Sequence, residues 1–226
     1  DYVVDFFDSV RNGTEPTKVE LGTVTYYPVD GDQWFTEPDS LTDGSQEHVL
    51  YLNQNTLDQQ AGEVTAMTYT YDPNDPAVFQ ASDENGGNGT NGYNGLAAEA
   101  EPGIRQDILT FLGAPVEEET YIKGTLSAQL TVSSDCEDTC FLVRIYVVKD
   151  GVAYNLREDI TSLSYQLGSY TPGEQVTLNF ETGPVVCKLN PGDYLRVDVS
   201  SSAAGMYSIH TNVAGNQWEI SEPVVA

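Results

Sequence analysis

An all-β fold, a β-sandwich or jelly roll, is predicted for most of this 226-residue chain. Three observations predict it. Short runs rich in β-branched and aromatic residues recur at even spacing. Turn signals such as KDG, TPGE and NPGD separate them. No long helical period appears after residue 13. The hydrophobic fraction of 39%, with 14 Tyr and 7 Phe, argues against global disorder. The length suits one domain, or two small ones, with a sizeable core.

Residues 1–13 (DYVVDFFDSVRNG) read as one short helix. Tyr2, Val3, Phe6, Phe7 and Val10 recur at three- and four-residue spacing on one face, and Gly13 followed by Pro16 is a stop. A helix this short cannot stand alone, so it must dock on something. Strand signals then follow at 18–29 (KVELGTVTYYPV), 48–53 (HVLYLN) and 64–73 (VTAMTYTYDP). Residues 82–103 are Gly- and Asn-rich and then acidic, and read as one long flexible loop. Past it, strands are expected at 107–113, 120–134, 140–151 and in VAYNLRE, TSLSYQL, EQVTLNFE and GDYLRVDVSSS. No internal repeat is visible.

Charge excludes two partner classes. Asp and Glu number 35 against 9 Lys and Arg, a net of −26. Such a field repels phosphate backbones and anionic lipid, so neither nucleic acid nor a membrane surface is an expected partner. No apolar run approaches the roughly 18 residues of a membrane helix. Solubility is the preferred reading of the acidity, ahead of cation binding. Opening at Asp1 without Met or signal peptide, the chain reads as a piece of something longer.

The chemistry-bearing residues are sparse. Cys136 and Cys140 lie in SDCEDTC, four residues apart. Zinc would need a second close pair, and Cys187, His48 and His210 do not form one. The spacing is not the C-x-x-C of a redox site. A local Cys136–Cys140 disulfide and two free thiols stand as equal alternatives. Cys187, in GPVVC, reads as a core thiol. There is no G-x-S-x-G, and His48 and His210 read as surface or hydrogen-bonded histidines rather than bases. Calcium is the cofactor left open, because DPNDP, VDGDQ and DENGGNGTN offer oxygen ligands. None matches an EF-hand loop, so no metal or other cofactor is expected. Trp34 and Trp218 could form a sugar platform, although core roles are favoured for most aromatics.

The ordered series of segments resembles the C-terminal domain of X-Pro dipeptidyl-peptidase and CocE/NonD-type serine hydrolases. The matching positions are Arg105, Asp107 and Leu109, then Gly124, then residues 133–135 with Asp138, Thr139 and Phe141, then Asp150, Gly151, Ala153 and Leu156. DPNDPAVF, DGDQW, VLYL, PGEQVTLNF and LNPGDYLRVDVSSS resemble further pieces. AAGMYSIHTN departs from the family, and so do the two cysteines of SDCEDTC. On this resemblance SDCEDTC is a turn between two strands.

The resemblance implies a galactose-binding-like jelly roll over residues 14–226. Residues 1–13 would be the last helix of a preceding α/β-hydrolase domain, on which this domain packs. The catalytic Ser, Asp and His would all belong to that domain, so the chain alone should be inactive. Residues 78–95 would lie near the substrate cleft, with Phe79, Asp83, Asn85 and Tyr93 closest to it. The face of Phe6, Phe7 and Val10 would be an interface patch, expected to be disordered, crystal-contacting or folded back on the sandwich. A final strand would be missing past residue 226, leaving an open edge through which the fragment dimerises. The alternative function is a carbohydrate-binding module on the same sandwich, and a weaker one is an adhesive β-domain.

Overall fold

The computed structural model describes residues 1–38, 40–42, 44–78, 102–226 and the main chain of 98–99. Helix α1 spans Tyr2–Asn12, with the Asp1 side chain capping its start. Gly13 ends it at φ 65°, a left-handed conformation that glycine adopts without a Cβ penalty. Strands β1 (Thr23–Tyr26) and β2 (Phe35–Pro38) form an antiparallel hairpin. They are followed by β3 (Tyr51–Asn53), β4 (Thr56–Asp58), β5 (Ala98–Glu99) and β6 (Leu109–Gly113). Then come β7 (Thr120–Val132), β8 (Cys140–Lys149), β9 (Val152–Ser162), helix α2 (Leu163–Leu167), β10 (Val176–Leu189) and β11 (Tyr194–Ser200).

Two of these sheets make the sandwich. One runs β3-β4-β6-β11-β8-β9-β5, and the other pairs β7 with β10. The β7/β10 pair alternates as a half-buried antiparallel ribbon should. Leu178 and Phe180 point inward while Thr177, Asn179 and Glu181 face out. On the facing sheet, Phe141, Val143, Ile145, Val197 and Val199 complete the core with Leu130 and Phe111. A second cluster joins Val147, Leu156, Val185, Cys187 and Leu189. Cys187 is fully buried, as its apolar context predicts.

Strand β8 explains its own apolar density. Residues 141–148 are buried on both faces, which favours a continuous hydrophobic run. The one charge within residues 141–148, Arg144, is paired across the ladder with Glu158 at 2.5 Å, and Glu158 also accepts from Tyr207 Oη at 2.8 Å. The β10 ladder is interrupted between Glu181 and Pro184. There β9 crosses to it: Arg157 donates to the carbonyls of Gly183 and Pro184, and Asp159 accepts from the Glu181 N–H. Gly124, paired with Val185 one rung past this irregularity, adopts φ 107°, and a Cβ there would come within 2.7 Å of Thr42 Cγ2.

Three expectations change. TSLSYQL is not a strand: β9 ends at Ser162, and the next five residues are α2. Residues 64–70 keep strand-like alternation but join no ladder among the described residues, and Tyr71 pairs only with Ala226. The α1 face is not folded back. Phe7 and Val10 are each 65% exposed, and α1 is tied down chiefly by Asp5, which accepts from the N–H groups of Thr17 and Lys18. Among the described residues nothing covers that apolar stripe. Within the expected loop, Ala98–Glu99 pairs with Tyr154 and Ala153.

Candidate functional site

SDCEDTC builds a structural knot. Residues 134–140 bring β7 into β8 and place Asp138 beneath the start of α2. The first amides of that helix need acceptors. Leu163 N–H donates to Thr139 O at 3.1 Å, and Ser164 N–H to Asp138 Oδ1 at 2.9 Å. Tyr165 N–H donates to the Ser162 hydroxyl at 3.1 Å. Asp138 Oδ2 also accepts from Ser164 Oγ and lies 3.3 Å from His210 Nε2. On the far side of the imidazole, Nδ1 accepts from Asn212 N–H at 3.0 Å. Nε2 is therefore the nitrogen that carries the proton toward Asp138. Asn212 extends the network, accepting from Thr139 Oγ1 at 2.7 Å and donating to Val224 O at 2.7 Å.

Asp138, Ser164 and His210 are thus brought together, a grouping sequence spacing gave no sign of. Its wiring is not that of a nucleophilic triad. A triad needs the base to accept the hydroxyl proton while the carboxylate orients the base. Here hydroxyl and imidazole both donate to the same carboxylate, and the imidazole's remaining nitrogen is occupied by a main-chain amide. Asp138 is 1% exposed and His210 7%. Burial alone would raise the Asp138 pKa, but the hydrogen bonds from His210 and Ser164 outweigh it and hold it below the ordinary value. The cluster caps a helix and pins the C-terminal segment.

The cysteines beside it are free thiols, which corrects the candidate Cys136–Cys140 disulfide. Each sulfur has its own surroundings. Cys136 Sγ donates to Asp138 O at 3.1 Å, within its own turn. Burial, with Asp138 nearby, pushes the Cys140 thiol up to about 12, and burial pushes Cys187 up to about 11. Burial raises Cys136 as well. Thiolate is the reactive form. The folded chain should therefore react slowly with iodoacetamide at pH 8, and a thiol count after unfolding without reductant should return three. A count of one would restore the disulfide.

The roots of the segment around residues 79–101 are held by a second cluster. Arg105 grips Asp107 in a fork, Nε to Oδ1 at 2.7 Å and Nη2 to Oδ2 at 2.9 Å. Its Nη2 also donates to Asp75 O at 2.5 Å. Ala77 N–H donates to Ser202 Oγ at 2.9 Å, and Ala204 N–H to Ala77 O at 2.8 Å. Both DPNDP and the Arg-x-Asp pair therefore serve as anchors. Beside them a cleft of about 380 Å³ is lined by Thr68, Tyr69, Thr70 and Gln106. The residues expected nearest the substrate cleft, Phe79, Asp83, Asn85 and Tyr93, lie outside the described residues.

The remaining candidates stay apart. His48 is exposed. Trp34 and Trp218 are 70% and 86% exposed. Trp34 meets Tyr27 edge-on, at 65° between ring planes and 5.4 Å between centroids, so this pair is not a coplanar platform. Among the described residues, no group of three or more His, Cys, Asp or Glu is arranged to hold a metal ion.

Comparison with known proteins agrees with this layout. The family model of the X-Pro dipeptidyl-peptidase C-terminal non-catalytic domain matches residues 17–221. Cocaine esterase of Rhodococcus sp. (strain MB1 Bresler) is 28% identical over 231 residues, covering 93% of this chain. The match covers only 39% of that esterase. Among solved structures, an aminopeptidase from the marine sediment archaeon Thaumarchaeota archaeon superposes with a TM-score of 0.79 at 17% identity. An α-amino acid ester hydrolase superposes at 0.78 and 20% identity. Each match covers 99% of this chain and 40% of the other. At these identities the structural likeness establishes the fold.

Proposed function

Because the chain belongs to the family of X-Pro dipeptidyl-peptidase C-terminal non-catalytic domains, we propose that it serves as the accessory domain of a serine hydrolase. The parent cleaves an ester or amide through an acyl-serine intermediate. The observation that carries this reading is the family match over residues 17–221. The wiring of Ser164, Asp138 and His210 supports it, since that cluster spends its donors on structure. Both structural neighbours carry this fold as about two-fifths of a longer hydrolytic chain.

In this reading the exposed α1 stripe, with Phe7 and Val10, packs on the catalytic domain. Burying such a stripe removes apolar area from water at about 25 cal/mol per Å². The anchored segment leaving Val78 and returning at Arg105 forms part of the wall of the substrate cleft. Removing residues 83–93 from the full-length hydrolase, with both anchors kept, should change KM or kcat for an ester or amide substrate. Unchanged kinetics would remove the segment from the cleft.

A further inference from the structure

The chain has only nine Lys and Arg, and the fold turns most of them to internal use. Arg105, Lys123, Arg144, Lys149, Lys188 and Arg196 each lie within ion-pair distance of a carboxylate. Their side chains are largely withdrawn from water, from 30% exposed at Arg105 to 6% at Arg196. Arg157 donates to the carbonyls of Leu156, Gly183 and Pro184. The two that are left, Arg11 and Lys18, are exposed. The acids are distributed the other way. Glu47, Glu63, Glu117, Glu137 and Glu222 are all exposed, and among the described residues no base pairs with them. The net charge of −26 is therefore sorted in space: positive charge lies mostly within, and the surface is left mostly negative.

We propose that the folded state depends on a diffuse atmosphere of monovalent cations, supplied by near-molar salt. Folding draws a chain of this length from a radius of gyration of about 50 Å to about 17 Å, which crowds its like charges together. A net charge far from zero destabilises the compact state by this self-repulsion. Salt relieves it, because the screening length falls from about 10 Å at 0.1 M to about 3 Å at 1 M. Salt also weakens ion pairs, but buried and partly buried pairs are screened much less than exposed ones. Here the attractive pairs are the withdrawn ones, such as Arg144 with Glu158 and Arg196 with Asp198, and the repulsive charges are the exposed ones. Both effects give the same sign, so salt strengthens this fold. The cations are held by the field of the whole surface rather than by coordination at one point, so their identity matters little.

The test follows thermal unfolding of the chain by circular dichroism between roughly 0.1 and 2 M KCl, repeated in NaCl and in tetramethylammonium chloride. Tm should rise by at least about 10 °C across the range, and by a similar amount with each cation. A variant carrying E47Q, E63Q, E117Q, E137Q and E222Q should melt above the parent chain at the lowest salt. Its rise with salt should be smaller by about a third, because self-repulsion grows with the square of the net charge. Three results would overturn the proposal. A flat or falling Tm would show that self-repulsion does not limit the fold. A rise with only one of the cations would point to a coordinated ion. An undiminished rise in the five-substitution variant would assign the effect to exclusion of salt from the protein surface rather than to screening.

Discussion

Asp138→Ala should lower the stability of this chain by about 3–5 kcal/mol, the range for removing one partner of a buried charged network. Three groups lose their acceptor at once: the Ser164 N–H, the Ser164 hydroxyl and the His210 imidazole. None has water as a ready substitute, because Asp138 is 1% exposed. The start of α2 and the attachment of residues 210–212 loosen together. Thermal unfolding should fall by on the order of 10 °C for a chain of this size. A fall within about 2 °C would show that the network is not the anchor described.

The same carboxylate sets an acid limb. Its folded pKa lies below the ordinary 3.8, so the unfolded chain binds the proton more tightly. The stability it contributes is present above that ordinary value and is lost as pH falls through the lowered one. Asp138→Asn keeps the shape but removes the ionisation. It should unfold at reduced denaturant concentration at neutral pH, with a shallower decline below about pH 4 than the parent chain.

Leu178→Ala should cost about 2–5 kcal/mol, the range for emptying a leucine site in a packed core. Leu178 has no exposed surface and sits where the β7/β10 ribbon meets the larger sheet. Its ladder partner is Leu130, and Phe180 follows it on the same face. Leu50→Ala, at a site already 37% exposed, should stay within about 0.5 kcal/mol. Urea unfolding of the two variants side by side reads the contrast. Equal small effects would mean that the two sheets are not packed through this residue.

Strands β6 to β11 were legible because their alternation, or their burial on both faces, is written in local composition. TSLSYQL was not. Its helix depends on acceptors supplied by Asp138 and Thr139, in a turn more than twenty residues away, and no local period reports them. Residues 64–73 carried the right alternation, but whether an extended segment finds a ladder partner is a tertiary fact. The two cysteines were ambiguous for a similar reason: four residues of spacing permit a bridge, while the turn gives Cys136 the carbonyl of Asp138. The motif positions Arg105, Asp107, Asp138 and Thr139 could be marked by resemblance alone. What they do became clear only through partners distant in sequence, such as Asn212 for Thr139 and Asp75 for Arg105.

The central claim is that this domain supports a hydrolase without performing its chemistry. The most direct measurement exposes the purified chain to a fluorophosphonate serine probe and to a p-nitrophenyl ester. The account predicts no labelling and no turnover above a heat-denatured control, with Ser164 unmodified by peptide mass mapping. Labelling at Ser164, lost in a His210→Ala variant that remains folded, would contradict it and make the buried cluster a working nucleophile.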